Sequence, residues 1–429
     1  MLVGGSVLER SRLEQVDSPN ARFPLLDGMR ALAATLVFSF HAWFFLGCVD
    51  LGEAVHTLGV TEMRDINAAF AHLGEVGVAA FYLISAFLLY RPFARASLRD
   101  GPLPPLGPYV IKRAFRILPA YWAAVTLIGL LDPGTNVFSW HGLINQYLFG
   151  SLYTSGGLIR GSNTYMASWT IAVEVSFYVF LPVWAAAVKS VRRVVHRPLA
   201  VELYGLAGLG LIGVAWKLVA AQQISGKDWF GSTFAVLPAS IDVFAVGMLL
   251  AVLSVRAEAR GTGFIVATRQ WAYWSWLLAL ILYILMCWTV DARGPFSGAL
   301  NAQALGTGFL KIPIALLLVL PALSSMPQDS LIGMGLSSRL VVWIGTVSYG
   351  LYLWHVWVIE HLAAWGSGGV FPPLDHRVVE LFPLNASIAY ILTLGIAALS
   401  WYGLERRTLG YGHALAARLG QTPRAKQAS

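Results

Sequence analysis

Charged residues are scarce in this chain. Lys, Arg, Asp and Glu supply 12% of its 429 residues, about half the share of an ordinary soluble domain. With 57% hydrophobic residues and a mean hydropathy of +0.64, that scarcity excludes a water-soluble globule. Cysteine is nearly absent. Cys48 and Cys287 lie in or beside apolar runs without ligand-like spacing, so neither a disulfide framework nor a zinc site is indicated, and no metal is expected. The first 22 residues carry Glu9, Arg10, Arg12, Glu14 and Asp17 and lack an apolar core followed by small residues, so no signal peptide is read there. No internal repeat, heptad run or separate soluble domain is visible. The glycines of 205–213 and 366–369 lack the flanking strand and the Lys-Ser/Thr ending of a nucleotide loop.

Apolar length is abundant. About ten runs of roughly 17–22 residues are each long enough for ~30 Å of hydrocarbon, whereas the strands of an outer-membrane barrel would be shorter and alternating. Spans are predicted at about 28–47, 73–90, 115–131, 168–188, 202–221, 233–253, 272–290, 304–323, 342–361 and 385–404. The expected fold class is therefore all-α, a polytopic transmembrane helical bundle, with a tail of residues 1–22, a membrane domain of 23–407 and a tail of 408–429. Leu143 to Tyr153 is also apolar but is broken by Asn145, Gln146 and Gly150, and reads as a re-entrant or interfacial piece, with an eleventh span as the alternative.

Charge sets the expected orientation. The second-to-third connection holds Arg91, Arg95, Arg99, Lys112, Arg113 and Arg116 against Asp100 alone, and the fourth-to-fifth holds Lys189, Arg192, Arg193 and Arg197 without an acid. Both are expected inside, which places both termini in the cytoplasm and the acidic segment Asp50 to Glu75 outside. The same rule accounts for the net charge of +8, so no nucleic acid is needed as a partner; membrane lipid is the expected surrounding.

Ionisable residues at membrane depth are costly unless they are paired or line a wet cavity, and so they carry the functional signal. Arg30 and His41 are eleven residues apart in the first span. At 100° per residue they fall within about 20° of one face, ~16 Å apart along the axis. A cation at the inner surface and an imidazole deep on the same stripe suit a ligand with an anionic head and a reactive end. A topology anchor and a packed histidine would look the same. Glu174 lies ~8 Å below the outer boundary of the fourth span, and His355 lies ~18 Å into the ninth. These two and His41 thus reach similar depth from three helices, which implies a buried polar cavity with equipment for proton transfer. Ser348 and Tyr349, on the helix of His355, are further candidates for lining it. Asp242 in the sixth span and Lys311 in the eighth suit a long-range ion pair, a proton path or, for Lys311, a snorkelling end residue. Lys112, Arg113 and Arg116 suit either topology setting or phosphate binding.

Five segments in order then resemble one family. LLDGMRALAATLVFSFH resembles the opening signature of acyltransferase family 3, an Arg or Lys followed after ten residues by His. GVAAFYLISAFLL, KRAFRILPAYW, SWTIAVEVSFYVFLP, and WIGTVSYGLYLWH with YGLERR are similar to its later motifs. The resemblance covers roughly residues 23 to 407. It implies acyl transfer from a cytoplasmic acyl-CoA, acetyl-CoA or another short one, to a hydroxyl on an envelope glycan, glycolipid or macrolide-like acceptor, in a bacterial plasma membrane. It also implies His41 as the catalytic histidine, Glu174 as the acidic active-site residue, and Arg30, Arg113 and Arg116 as contacts for the donor. General-base and acyl-histidine routes both remain open. Two positions depart from the family pattern: Ser85-Ala86 stands where Ser-Gly is usual, and Glu405-Arg406-Arg407 where Glu-Arg-Pro is usual. Without the hydrolase-like domain fused to some relatives, any extracytoplasmic enzyme needed to place the acyl group is expected to be a separate partner. Two rival classes are a proton-coupled transporter, which should show paired repeats, and a haem protein with His41 and His355 as axial ligands.

Overall fold

A computed structural model of the chain describes residues 23, 25–46, 67–150, 168–222, 236–260, 269–289, 300–324, 330–365 and 377–420. Its main helices are α1 (Leu26–Phe45), α2 (Leu73–Leu98), α3 (Leu106–Leu131), α4 (Ser168–Arg192), α5 (Pro198–Gln222) and α6 (Leu237–Ala259). They are followed by α7 (Arg269–Thr289), α8 (Leu300–Leu323), α9 (Leu331–Ser337), α10 (Arg339–Trp365), α11 (Arg377–Ser400) and α12 (Arg406–Gly420). No strand occurs among the described residues. Ten helices are long and apolar enough to cross a membrane, and each predicted run falls on one of them.

One connection differs from the sequence reading. α2 runs on to Leu98 and α3 begins at Leu106, because the Arg-bearing turns find partners instead of loop conformations. Arg91 bonds Glu258 of α6 and stacks over the rings of Phe23 and Phe87, at 4.8 and 5.6 Å from their centres. Arg95 reaches the other oxygen of Glu258 at 3.1 Å. The interrupted stretch after α3 agrees with the re-entrant or interfacial reading, since its described residues form no spanning helix. Its described part is a turn, Trp140–Gly142, and a wide turn, Leu143–Tyr147. Tyr121 and Trp122 of α3 donate to the carbonyls of Gln146 and Tyr147, which holds this part against that helix. Residues 151–153 lie outside the described residues, as do Cys48 and the first 22.

α2 is the central helix, packed by α1, α4, α6 and α8, while α10 lies between α1 and α11 and α12 returns onto α3. Leu211 and Ile212 of α5, Leu280 and Ile281 of α7, and Ile391 and Leu399 of α11 are exposed, as apolar side chains are where lipid is the neighbour. The start of α1 is wedged backbone to backbone. A side chain at Gly28 would strike the carbonyl of Leu336, and one at Gly345 that of Asp27. These contacts seat α1 against α9 and α10 and hold Arg30 beside the basic turn of α3.

Candidate active site

A cavity of about 870 Å³, its open mouth included, lies between α1, α2, α3, α4 and α10. Its walls bring together Arg30, Arg113 and Arg116 with Ser85, Glu174, Tyr178, Ser348 and Tyr349. Arg30 keeps a local partner, Asp27, at 3.1 Å. The cavity continues to Phe81, Tyr82, Thr170 and Tyr352, so cationic residues line one part of it and aromatic and hydroxyl groups another.

Glu174 is held by two donors. Ser85 Oγ donates to its Oε1 at 2.8 Å, and Tyr178, one turn along α4, donates to the same oxygen at 2.6 Å. Ser348 donates to the carbonyl of Gly345 and Tyr349 to that of Ile117, so both side chains are oriented by backbone acceptors. Thr170 and Tyr352 share a hydrogen bond between α4 and α10, and Tyr82 donates to the carbonyl of Thr170 at 3.1 Å.

His41 and His355 are not among the residues lining the cavity; they meet beside Tyr352, whose ring centre is 5.5 Å from that of His355. His355 is fully buried, and its Nε2 lies 3.1 Å from Nδ1 of His41. Each ring also points Nδ1 at a carbonyl of its own helix, His355 at Tyr352 (2.7 Å) and His41 at Val37 (2.9 Å). A carbonyl only accepts, so in the neutral pair both Nδ1 atoms carry the proton. His355 Nε2 then accepts from His41 Nδ1–H, and Nε2 of His41 is left with a free lone pair, the atom a base needs. Direct contact also leaves no space between the rings for the iron that a haem reading requires. Tyr352 joins the two regions: its ring lines the cavity, and its carbonyl orients His355.

The expected convergence of three groups is thus divided in two. His41 and His355 touch, while Glu174 sits in the cavity with Ser85 and Tyr178. Asp242 is not among the residues lining the cavity. It forms a buried ion pair with Lys217 of α5 at 2.6 Å, and Lys217 also donates to the carbonyl of Gly308. Lys311 pairs with Glu75 at 3.0 Å instead of with Asp242. Sequence reasoning did not single out Tyr82, Thr170, Tyr178 or Tyr352 for the site. Tyr178 carried the one available signal, its i,i+4 spacing from Glu174.

A family model described as an acyltransferase domain matches residues 23–402. Nodulation protein 10 of Rhizobium leguminosarum bv. viciae is 26% identical over 91% of this chain and 95% of its own length. Acyltransferase MdmB of Streptomyces mycarofaciens is 24% identical over 79% of this chain and 80% of its own. Peptidoglycan O-acetyltransferase OatA of Listeria monocytogenes is 22% identical over 78% of this chain, which spans about half of that protein. No solved structure matches. The match spans most of the chain and all ten apolar helices lie within or overlap it: this multi-pass membrane protein is an acyltransferase and belongs to acyltransferase family 3.

Proposed function

We propose that the chain transfers a short acyl group, acetyl or similar, from acyl-CoA to a hydroxyl of an envelope glycan, glycolipid or related acceptor at a bacterial plasma membrane. The observation that carries this reading is the hydrogen-bond order Tyr352 carbonyl, His355, His41, which in the neutral pair leaves Nε2 of His41 unoccupied, while Tyr352 itself stands in the wall of the cavity that three arginines also line.

In this mechanism Arg30, Arg113 and Arg116 hold the donor's phosphates, since guanidinium matches phosphate oxygens two at a time. The thioester end points towards Tyr82, Thr170 and Tyr352. Nε2 of His41 takes the acceptor's hydroxyl proton as the oxygen attacks the thioester carbonyl. The carbon–sulfur bond then breaks, and the thiolate leaves and recovers the proton from His41. The charge that appears on His41 is stabilised through Nδ1–H by His355 and the Val37 carbonyl. Glu174 accepts from Ser85 and Tyr178 and keeps both side chains oriented in the cavity wall. The acceptor class rests on similarity alone.

The test is release of free thiol from acetyl-CoA by purified protein in vesicles, with and without envelope extract. Acceptor-dependent release, with one new acylated species found by mass, is expected. Folded protein that neither binds nor consumes any short acyl-CoA would overturn the reading.

A further inference from the structure

The last apolar helix does not stop at the membrane. From Leu381 to Gly420 the chain is helical for 40 residues, ~60 Å of helix against ~30 Å of hydrocarbon. α12 is the polar end of this length. It folds along the first turns of α3: Gly412 is seated on Phe115, where a Cβ would come within 2.5 Å, and Gly420 lies near Pro108. Gly412 and Ala416 are buried in this contact, and Phe115 is the neighbour of Arg116 in the turn that borders the cavity.

The rest of α12 is organised too. At 100° per residue, Tyr411, Leu415 and Leu419 fall within an arc of about 80°, and Arg407 and Arg418 border that arc within about 40° of Tyr411. The three apolar side chains are 71%, 41% and 47% exposed, and both arginines are exposed as well. We infer that α12 is a membrane-docking helix that recognises anionic lipid headgroups, its Tyr and Leu stripe in the headgroup layer and Arg407 and Arg418 on lipid phosphates. Two observations select lipid as the occupant. The stripe is bordered by cations on a helix without acidic residues after Glu405, which matches an anionic surface. α12 also follows directly on α11 through the wide turn Trp401–Glu405, and Ile391 and Leu399 of α11 already face outwards. This assignment does not depend on the proposed reaction.

The test is backbone hydrogen exchange of the full chain in nanodiscs of phosphatidylcholine alone or with phosphatidylglycerol added. Exchange over residues 406–420 is expected to slow at least about tenfold in the anionic discs. Arg407→Gln with Arg418→Gln should abolish that difference while exchange in α2 stays unchanged, which shows the variant is folded. Inorganic phosphate added to the zwitterionic discs should change nothing. The inference is overturned by equal exchange in both discs, by protection from inorganic phosphate alone, or by protection that follows the number of protein copies per disc and not lipid charge.

Discussion

Nδ1 of His41 lies 3.1 Å from Nε2 of His355, and the second hydrogen bond of each ring, to a carbonyl of its own helix, fixes which nitrogen is bare. The two residues are 314 positions apart and form one unit. His355 acts through His41, as a positioning residue. Replacing it by Phe should lower kcat about 10- to 100-fold, the kinetic equivalent of losing a hydrogen bond of about 1.5–3 kcal/mol to a charged group. KM for acyl-CoA should not change. His355→Gln, whose amide oxygen can still accept from His41, should recover part of the loss. Equal losses in both variants would mean that the ring only fills space.

The arginines should act on binding. Arg113→Gln or Arg116→Gln is expected to raise KM for acyl-CoA about tenfold, with kcat nearly constant and with weaker dependence on ionic strength. Steady-state kinetics at two salt concentrations checks this. A fall in kcat at unchanged KM would move these residues out of donor binding.

Lys217 and Asp242 are 2.6 Å apart and buried. Asp242→Asn strands the ammonium and should destabilise the protein by about 3–5 kcal/mol. Lys217→Met with Asp242→Asn should restore most of that loss and leave kcat close to wild type, because neither side chain lines the cavity. Thermal melting in detergent and turnover of the double variant are the measurements. A stable but inactive double variant would instead support a proton path through the pair.

The Ala at position 86 has a structural compensation. Its methyl lies where α2 and α6 are closest, and a side chain at Gly247 would meet Ala86 Cβ at 2.7 Å and the Leu83 carbonyl at 2.5 Å. Gly247 thus supplies the space that the family pattern places at position 86. Gly247→Ala should cost about 1–3 kcal/mol by overpacking and lower the melting temperature, whereas Ala86→Gly should be mild. Equal melting of Gly247→Ala and wild type would contradict this packing.

The spans were legible because each is a local property: a run of apolar residues long enough to cross. The shared face of Arg30 and His41 was legible for a similar reason, helical periodicity. Pairings between helices were not. Asp242 finds Lys217 and Lys311 finds Glu75, and sequence spacing carries no signal for which of several buried charges meet. The direction in which Glu174 projects from its helix relative to the other helices was not readable, so its separation from the histidine pair was invisible. Arg91 and Arg95 read as loop charges because Glu258, their common partner, lies more than 160 residues away.

The central claim is that His41 is the base. The most direct measurement is kcat for acceptor-dependent thiol release by His41→Gln beside wild type, together with equilibrium binding of CoA to both. The account predicts a loss of about 10²–10⁴-fold in kcat with CoA binding unchanged. A folded His41→Gln protein that turns over within about threefold of wild type would contradict it.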